Sequence, residues 1–557
     1  MRAQILLCIV FSSPLFAIPP PVPSAGVIER EIEQEYEGKP LELDKEMPSV
    51  EVDIPEEKLL MSSGEKVFVR SIEVEGNEAV SCDEIKQWIK EFLDLELTIV
   101  DIYRICKKID QNYAAKGYFL SRSYPPPQEI HDGVLTIKIL EGKIGGIRIE
   151  GNKYYSTQFI GRYFEPFCHQ ALKYDQFLKA LLLLNENSDL SAGVLFERGK
   201  EVGTADLIVR VSDARPIHLY LNENNYGRKL TTNSQFGGRF DWGNCAFDGD
   251  TFSVAEVVGF PLEALYFTDV TYTVPLNTKG TSMEFSYLFS RFHVEELRPL
   301  HLKGQSVIAT IKATQAMKRT KTLGIDLFSY FDYKQIQNFV LGDRTSFDRL
   351  RVLTVGATLD HYNSSRGRDY LNIRTGVGIP SFLGGMAPVS NQSSRTGGGG
   401  RFVLMNLDYD RIQQIYKEWM LYFHTSGQWS PNKLTVPEQI YIGGSNTVRG
   451  YPLSAALGDS GYYVNVETRF PLPILLETPF FWTKKKWKEA LQIVAFLDTG
   501  GTIFNGGSST CITGTGMGLR VVGPYTISLS FDIGFPLNHH KLSSGAFSYL
   551  KLTAQPF

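Results

Sequence analysis

Residues 525–536, Tyr-Thr-Ile-Ser-Leu-Ser-Phe-Asp-Ile-Gly-Phe-Pro, alternate between apolar side chains and small or polar ones. The odd-numbered positions form an almost unbroken apolar face, and Ser528, Ser530 and Asp532 lie on the opposite face. A period of two is that of a β-strand with one apolar and one polar side. The stretch therefore predicts a strand at the boundary between two environments.

The same alternation recurs from Pro216 to the end of the chain, in roughly sixteen segments, an even number within the range of single-chain membrane barrels. Clear examples lie within residues 217–222, 266–274, 283–289, 353–360, 371–379 and 403–409. A soluble sandwich of two sheets also has apolar faces, but it needs fewer segments and fewer outward aromatics near strand ends. We predict a transmembrane β-barrel of about sixteen antiparallel strands over residues 214–557.

Composition agrees with this interpretation. The 557 residues carry a net charge of -4, which gives no basic field for nucleic acid. Aromatic residues make up 12%, and the 50 glycines suit twisted strands and barrel corners. After the N-terminus the richest apolar patch, Leu181–Leu184, is far shorter than a membrane helix. A chain of this kind would cross a membrane with strands.

Residues 1–17 have the pattern of a secretory signal peptide: Arg2, an apolar stretch over 5–11, and Leu15-Phe16-Ala17 as a cleavage site. The alternative is a short buried segment. Cleavage would remove Cys8 and leave Cys82, Cys106, Cys168, Cys245 and Cys511. These lack CxxC spacing, so we predict neither a metal site nor a disulfide framework, and we favour separate core residues over a Cys82–Cys106 bridge.

Between the signal peptide and the first regular module lie residues 18–37 and 38–65. Val27–Tyr36 is dense in charge, with Val27, Ile28 and Ile32 along one side of a short helix. This helix is either a solvated tail or a plug that docks on a partner surface. Residues 38–65 are acidic, contain three prolines among them, and lack periodicity, which predicts a linker.

Two α+β modules follow, over 66–142 and 143–213, and both place a Gly-Asn turn after their first strand. The first module is predicted as strand 67–74, helices 81–93 and 98–116, segment 118–124 and strand 133–141, with Ser81 as an N-cap and Gly117 as a stop. The second is predicted as strand 143–150, helix 174–185, and strands 192–198 and 204–211. The shared turns at Gly76-Asn77 and Gly151-Asn152 favour an internal repeat over two unrelated domains.

Strand direction orients the loops. Because the modules precede the first strand, odd strands run away from the modules and even strands run back. By this count the 419–429 strand is eleventh and the 462–470 strand is twelfth. The loop from about Ser430 to Asp459 and the glycine-rich loop at 397–400 then lie on the far side. The tight Gly523-Pro524 turn lies on the side of the modules, where short turns are expected.

The long polar loop over 430–459 carries the candidate site. Its Arg449 lies either in water or folded back into the barrel lumen, and Gly450 allows the backbone to turn. Two acids, Glu467 and Asp498, have the lumen-facing parity of the two following strands. Because a planar guanidinium can hold a carboxylate with two parallel hydrogen bonds, we predict that Arg449 folds inward and pairs with Asp498, with Glu467 nearby.

Two short motifs, Val448-Arg449-Gly450-Tyr451 and Phe496-x-Asp498-x-Gly500, are similar to the paired signature of the outer-membrane protein insertase and two-partner secretion superfamily. The two modules resemble POTRA domains. With the N-terminal helix, the chain most resembles transporters that export haemolysins and filamentous haemagglutinins. The resemblance implies that Arg449 and Asp498 anchor an inserted loop. The site predicted for loop anchoring or gating contains Val448, Arg449, Gly450, Tyr451, Glu467, Phe496, Asp498 and Gly500.

The same resemblance implies a place and a function. The barrel would lie in the bacterial outer membrane with its modules in the periplasm, and it would export an unfolded partner protein that adds to a sheet edge of the modules. Export would be passive, because the sequence has no Walker-type phosphate loop and the periplasm has no ATP. Implied partners are the client protein, outer-membrane lipid and the barrel assembly machinery. No cofactor and no enzymatic activity are expected.

Two other functions share parts of this pattern. An outer-membrane insertase has the same fold and motif but usually more POTRA modules, and a diffusion porin could carry periplasmic appendages. An enzyme is disfavoured, since His424 is more simply a lumen polar group and His539-His540 a solvated pair. The terminal Phe557 is preceded by an apolar parity at Leu550, Leu552 and Ala554 and by Pro556, which predicts a bulge or an imperfect assembly signal.

Overall fold

A computed structural model describes residues 24–37, 47–53, 66–228, 231–294, 301–472, 478–480, 486–523, 526–538 and 545–556. The predicted signal peptide, most of the linker, the Pro524 turn position, His539-His540 and Phe557 lie outside these residues. The chain divides into two compact units, which are described separately: the N-terminal helix with the barrel strands, and the two modules with part of the linker. None of the helices described is long and apolar enough to cross a membrane.

The elements before the barrel are α1 (Ala25–Glu37), β1 (Val50–Asp53), β2 (Val67–Val69), β3 (Ser71–Glu75), α2 (Cys82–Ile89), β4 (Leu95–Leu97), α3 (Ile99–Ala115), β5 (Arg122–Tyr124), β6 (Val134–Leu140), β7 (Lys143–Glu150), α4 (Thr157–Gly161), α5 (Tyr174–Leu184), β8 (Leu190–Arg198) and β9 (Thr204–Asp213).

The first module differs from its prediction at the first strand, which is split at Arg70. Before the split β2 pairs antiparallel with β4, and after it β3 pairs parallel with β6. The break occurs because the amides of Arg70 and Ser71 both donate to the Gly133 carbonyl. Strand β4 was missed because it is only three residues long. Helix α2 begins at the predicted cap Ser81. Thr98, predicted as the first residue of the second helix, is its N-cap and forms a capping box with Asp101.

The second module has a four-stranded sheet in the order β1-β8-β9-β7. Strand β1 comes from the predicted linker, so the expectation of an unstructured segment is wrong for residues 50–53. It pairs parallel with β8, with Val50 opposite Val194. The short helix α4 was also missed. The repeated glycines Gly76 and Gly151 have φ of 84° and 93°, and an added Cβ would lie 2.4 and 2.2 Å from a backbone carbonyl oxygen.

The five described cysteines are free, so the bridge between Cys82 and Cys106 does not form. Cys82 is exposed, whereas Cys106 packs in the apolar core of the first module. Burial raises the pKa of the Cys106 thiol to about 12, which leaves it protonated and unreactive at neutral pH.

Sixteen antiparallel strands of the described chain close into a barrel, as predicted. They are β10 (Ile217–Asn224), β11 (Gln235–Gly243), β12 (Thr251–Gly259), β13 (Leu265–Pro275), β14 (Thr281–His293), β15 (Lys303–Arg319), β16 (Leu323–Val340), β17 (Asp343–Asn363), β18 (Gly367–Gly378), β19 (Phe402–Tyr416), β20 (Trp419–Trp429), β23 (Ser460–Pro471), β24 (Leu491–Ile503), β25 (Ser509–Val522), β26 (Ser528–Pro536) and β27 (Phe547–Ala554). Strands β21 (Ile440–Ile442) and β22 (Ala456–Gly458) lie in the loop after β20, and α6 (Trp487–Ala490) precedes β24.

Alternation sorts the barrel side chains as the sequence predicts. Leu353 and Val355 are exposed on the outer wall of β17, while the alternating positions Val352 and Thr354 are buried. On the last strand Leu550 and Leu552 point outward and Tyr549 is buried. The ring closes where β10 meets β27 over four residue pairs, fewer than at the other seams.

Helix α1 lies inside the barrel, so the alternative of a solvated tail is wrong. Ile28 and Ile32 pack in a cluster with lumen-facing residues such as Phe267 and Phe292. Arg30 Nη1 donates to the carbonyls of Pro437 and Gln439, at 2.8 and 2.6 Å. Glu31 pairs with Arg228, with both side chains largely buried. The helix is thus held by the wall and by the loop after β20.

Candidate functional site

The loop over residues 430–459 does not remain a polar loop in water. It contains a 3-10 turn at Val436–Glu438 and the hairpin of β21 and β22. Ile440, Ile442, Val448 and Tyr451 are buried in one cluster with residues of the barrel wall. The prediction of a polar loop was wrong. The apolar residues of the loop are too far apart in the sequence to show a period. Their burial accounts for a loop that folds into the lumen.

Arg449 reaches the wall formed by β23, β24 and β26. Its Nε and Nη2 donate to the two carboxylate oxygens of Asp498, at 2.8 and 3.2 Å. Its Nη1 donates to Glu467 Oε2 at 2.8 Å and to Asp532 Oδ2 at 3.2 Å. The guanidinium carbon lies 3.5 Å from the ring centroid of Phe496. The structure thus brings together the residues that the two motifs contain, with the paired geometry that a guanidinium favours.

Two further arginines complete the cluster. Arg469 Nε donates to Glu467 Oε1 at 2.6 Å. Arg520 donates to both oxygens of Asp532, at 2.6 and 3.0 Å. Three arginines therefore face three carboxylates, and the formal charges balance. Asp532 has the lumen-facing parity of its strand, and Arg469 has the parity of Glu467 two positions before it. No spacing rule connects either of them, or Arg520, to Arg449.

The cluster is shielded from water. Arg449 is 5% exposed and Asp498 is fully buried, and Glu467 and Asp532 are also buried. A solvated ion pair contributes about 0–1 kcal/mol, whereas removing one partner of a buried pair costs about 3–5 kcal/mol. Because Arg449 and its carboxylate partners are buried, the value for a buried pair applies. The loop tip is therefore attached strongly enough to hold a long segment inside the lumen.

The neighbours of Arg449 make backbone and hydroxyl contacts of their own. Gly450 has a φ of 93°, and its amide donates to the Tyr549 hydroxyl at 3.1 Å. The Tyr549 hydroxyl in turn donates to the Tyr451 carbonyl at 3.0 Å. The Tyr451 hydroxyl lies 2.9 Å from the Thr513 carbonyl oxygen. The loop tip is thus fastened to β25 and β27 as well as to the carboxylates.

The remaining motif residues serve close packing. Val448 is fully buried, and a Cβ added to Gly500 would lie 3.2 Å from the Cγ2 atom of Val448. Away from the cluster, His424 Nδ1 lies 2.6 Å from Asp410 Oδ1 on the lumen wall, as expected for a lumen polar group.

Comparison with known proteins agrees with this geometry. Residues 203–521 match the family model of the haemolysin secretion/activation proteins ShlB/FhaC/HecB. The chain belongs to this family. Residues 67–142 match the ShlB-type POTRA domain. The chain is therefore an outer-membrane transporter of the two-partner secretion type, with its modules in the periplasm. Because the modules precede β10 and β20 is the eleventh barrel strand, the loop that carries Arg449 begins on the cell-surface side.

Individual relatives are distant in sequence. The chain is 23% identical over 432 residues to the Heme/hemopexin transporter protein HuxB of Haemophilus influenzae strain 86-028NP, covering 72% of each chain. It is 23% identical over 392 residues to the Hemolysin transporter protein HpmB of Proteus mirabilis, covering 67% of this chain and 66% of the relative. The solved structure of CdiB from Escherichia coli has the same fold, with a TM-score of 0.72 at 18% identity over 95% of this chain and 98% of that one.

Proposed function

We propose that this transporter moves an unfolded partner protein from the periplasm to the cell surface without ATP, and that the Arg449 cluster holds its closed state. The observation that carries the second part is the buried contact of Arg449 with Asp498, Glu467 and Asp532. A loop held this firmly stays in the lumen until a client competes for the space. Release of the loop tip then opens the path.

Helix α1 is the second part of the plug. It packs against the lumen wall and bonds to the inserted loop through Arg30, so the loop and the helix support each other. A lumen occupied in this way opposes free diffusion of solutes, which disfavours the porin alternative. The family match disfavours the insertase alternative.

Passive export rests on the absence of a nucleotide-binding motif from the sequence. The free energy for direction would come from folding of the client outside the cell, where a folded chain no longer fits back into the pore. The periplasmic modules supply the first binding step, by hydrogen bonds between the extended client and a sheet edge.

Two experiments test these proposals. Deletion of the gene should remove one protein from the culture medium and leave it in the periplasm, and the wild-type chain should restore its export. When the purified transporter is reconstituted in vesicles, that protein should enter them in a buffer without nucleotide. Its entry is measured as protection from protease added outside. Export by the deletion strain would reject the assigned function, and a strict requirement for added ATP would reject passive transport.

A further inference from the structure

The outer wall of the barrel changes character at the surface ends of β16 and β17. On β17 the outward positions from Leu353 to Leu359 are apolar, but the next outward positions toward the surface are Arg351 and Arg349. On β16 the outward residues change from Phe331 and Tyr333 to glutamines at the level of Arg349. The boundary between acyl chains and headgroups therefore crosses the wall at this level.

A register shift brings one more arginine to this face. Beyond the irregularity at Asn338 and Phe339, Arg344 pairs with the outward-facing Phe339. Its guanidinium carbon lies 4.7 Å from the ring centroid of Phe347, and that of Arg349 lies 5.2 Å from the same ring. Two cations thus flank one aromatic ring on the outer wall.

Arg351 is covered by a short segment of the loop between β18 and β19, residues 381–385, which we name the rim knuckle. Nε and Nη2 of Arg351 donate to the Leu383 carbonyl at 3.1 and 2.8 Å. The guanidinium carbon of Arg351 lies 3.4 Å from the Tyr333 ring centroid. Arg351 is 1% exposed although its parity is that of the lipid-facing residues. The knuckle therefore folds down over the outer wall.

The knuckle is a strained turn that displays apolar side chains. Ser381 and Leu383 have φ of 59° and 43°, values that non-glycine residues adopt only when their surroundings enforce them. Arg351 provides that enforcement through the Leu383 carbonyl. Phe382 and Leu383 are 47% and 60% exposed, and the Phe382 ring rests on Phe331. These two side chains extend the outer apolar face at its edge on the cell-surface side.

In the part of the chain that the structure describes, Arg344 and Arg349 lack the carboxylate partner that several barrel arginines have. Arg374 in the lumen and Arg411 on the outer wall each bond to an aspartate. Within the described part of the chain, Arg344 and Arg349 form no ion pair, and Nε of Arg349 is buried without a hydrogen-bond partner. Among the residues that the structure describes, the Arg349 side chain makes one hydrogen bond, which Nη2 donates to Gln392 Oε1 at the long distance of 3.4 Å. Two cations beside an apolar edge are thus available to an anionic group.

We propose that Arg344 and Arg349 bind the phosphate of an anionic lipid in the outer leaflet, with Phe382 and Leu383 among its acyl chains. Guanidinium groups bind phosphate through charge-assisted hydrogen bonds, and apolar side chains next to them favour a lipid over free phosphate. The occupant is a lipid and not an acidic part of the client, because the site lies on the outer wall and not in the lumen.

The test uses the full chain in phosphatidylcholine vesicles, with and without added lipid A, which carries phosphate. Lipid A should raise the apparent melting temperature of the wild type, read by heat-dependent migration on a gel. The double variant Arg344→Gln, Arg349→Gln should need about tenfold more lipid A for the same shift, since hydrogen bonds to charged groups are the strong ones. The control variant Arg148→Gln, Arg210→Gln loses two exposed charges of the second module and should respond as the wild type does.

Three outcomes would overturn the proposal: an equal shift for wild type and double variant, an equal shift with dephosphorylated lipid A, or the same shift from inorganic phosphate or an acidic peptide. A second measurement covers the knuckle without changing the arginines. Tryptophan at Leu383→Trp should be quenched by lipids with brominated acyl chains, whereas Val389→Trp, exposed elsewhere in the same loop, should not. Equal quenching at both positions would contradict a knuckle placed in the acyl layer.

Discussion

The backbone of Gly514 on β25 lies directly against Arg449, so closely that a methyl group on Gly514 would come 1.9 Å from the Arg449 carbonyl oxygen. The obstacle is backbone, which cannot rotate away as a side chain can. The loop tip therefore seats on a flat surface made by a residue without a side chain.

Gly514→Ala is expected to displace the loop tip while the sixteen strands still close. Single-channel recording in planar bilayers should show more frequent openings than in the wild type, because the added methyl group displaces Arg449 from its carboxylate partners. Gly427→Ala on β20 is the matched control, since a Cβ there meets no atom within 4 Å. A closed channel in the Gly514→Ala protein would contradict the close fit.

Arg449→Ala should leave the barrel inserted but destabilise the closed state, because it leaves three buried carboxylates with two arginines. Client export should fall, since a loop that is already displaced cannot be released in an ordered way by the client. The loss is expected to be about 3–5 kcal/mol in the stability of the inserted loop. Arg449→Lys should recover only part of it, since an ammonium cannot pair with two oxygens of Asp498 in one plane. Export assays and heat-dependent migration measure the two effects separately.

Arg374→Ala is the control for that series. Arg374 also bonds to a lumen aspartate, Asp408, but its side chain is 31% exposed. A solvated pair of this kind should contribute about 0–1 kcal/mol, so export should change little. Equal losses for Arg374→Ala and Arg449→Ala would show that the position of Arg449 carries no special role.

Local patterns predicted the barrel wall, whereas long-range contacts could not be read from the sequence. The period of two assigned Glu467, Phe496 and Asp498 to the lumen, because side-chain direction on a strand depends only on neighbouring residues. The partnership of Arg449 with Asp532 depends on how a loop residue and a strand residue that are 83 positions apart in the chain come together. No local signal reports such a distance.

The linker strand β1 shows the same limit. Val50–Asp53 is short and acidic, and it becomes a strand only because the edge of β8 offers it hydrogen bonds. Helix α1 is another case: its apolar stripe was visible, but the choice between solvent and lumen depends on Phe267 and Phe292, far along the chain.

Strand β1 also occupies the edge of β8, where an extended client could bind. The Val194 amide donates to the Ser49 carbonyl, so in a parallel ladder the Glu51 amide faces β8 and the Val52 amide faces away. Glu51→Pro should weaken the pairing of β1 with β8. A larger fraction of molecules then has the β8 edge free, so client affinity should rise a few-fold. Val52→Pro is the matched control. Titration of the purified full chain with its client measures both, and equal affinities for the two variants would exclude competition at this edge.

Asp459 joins three surface-side segments at the base of the inserted loop. Its Oδ1 accepts a hydrogen bond from the Leu434 amide at 2.9 Å and pairs with Arg395 of the loop between β18 and β19. Its Oδ2 accepts one from the Asn505 amide at 2.8 Å, in the turn after β24. Because Asp459 is fully buried, Asp459→Asn leaves Arg395 without its charge partner in a dry site and should cost about 3 kcal/mol or more.

The consequence should appear at the mouth of the pore and not at the Arg449 cluster. Asp459→Asn is expected to increase brief openings in planar bilayers and protease cleavage in residues 386–401, while the full chain still inserts. Cleavage at the wild-type rate in Asp459→Asn would show that Asp459 does not hold these segments together, whatever the state of the Arg449 cluster.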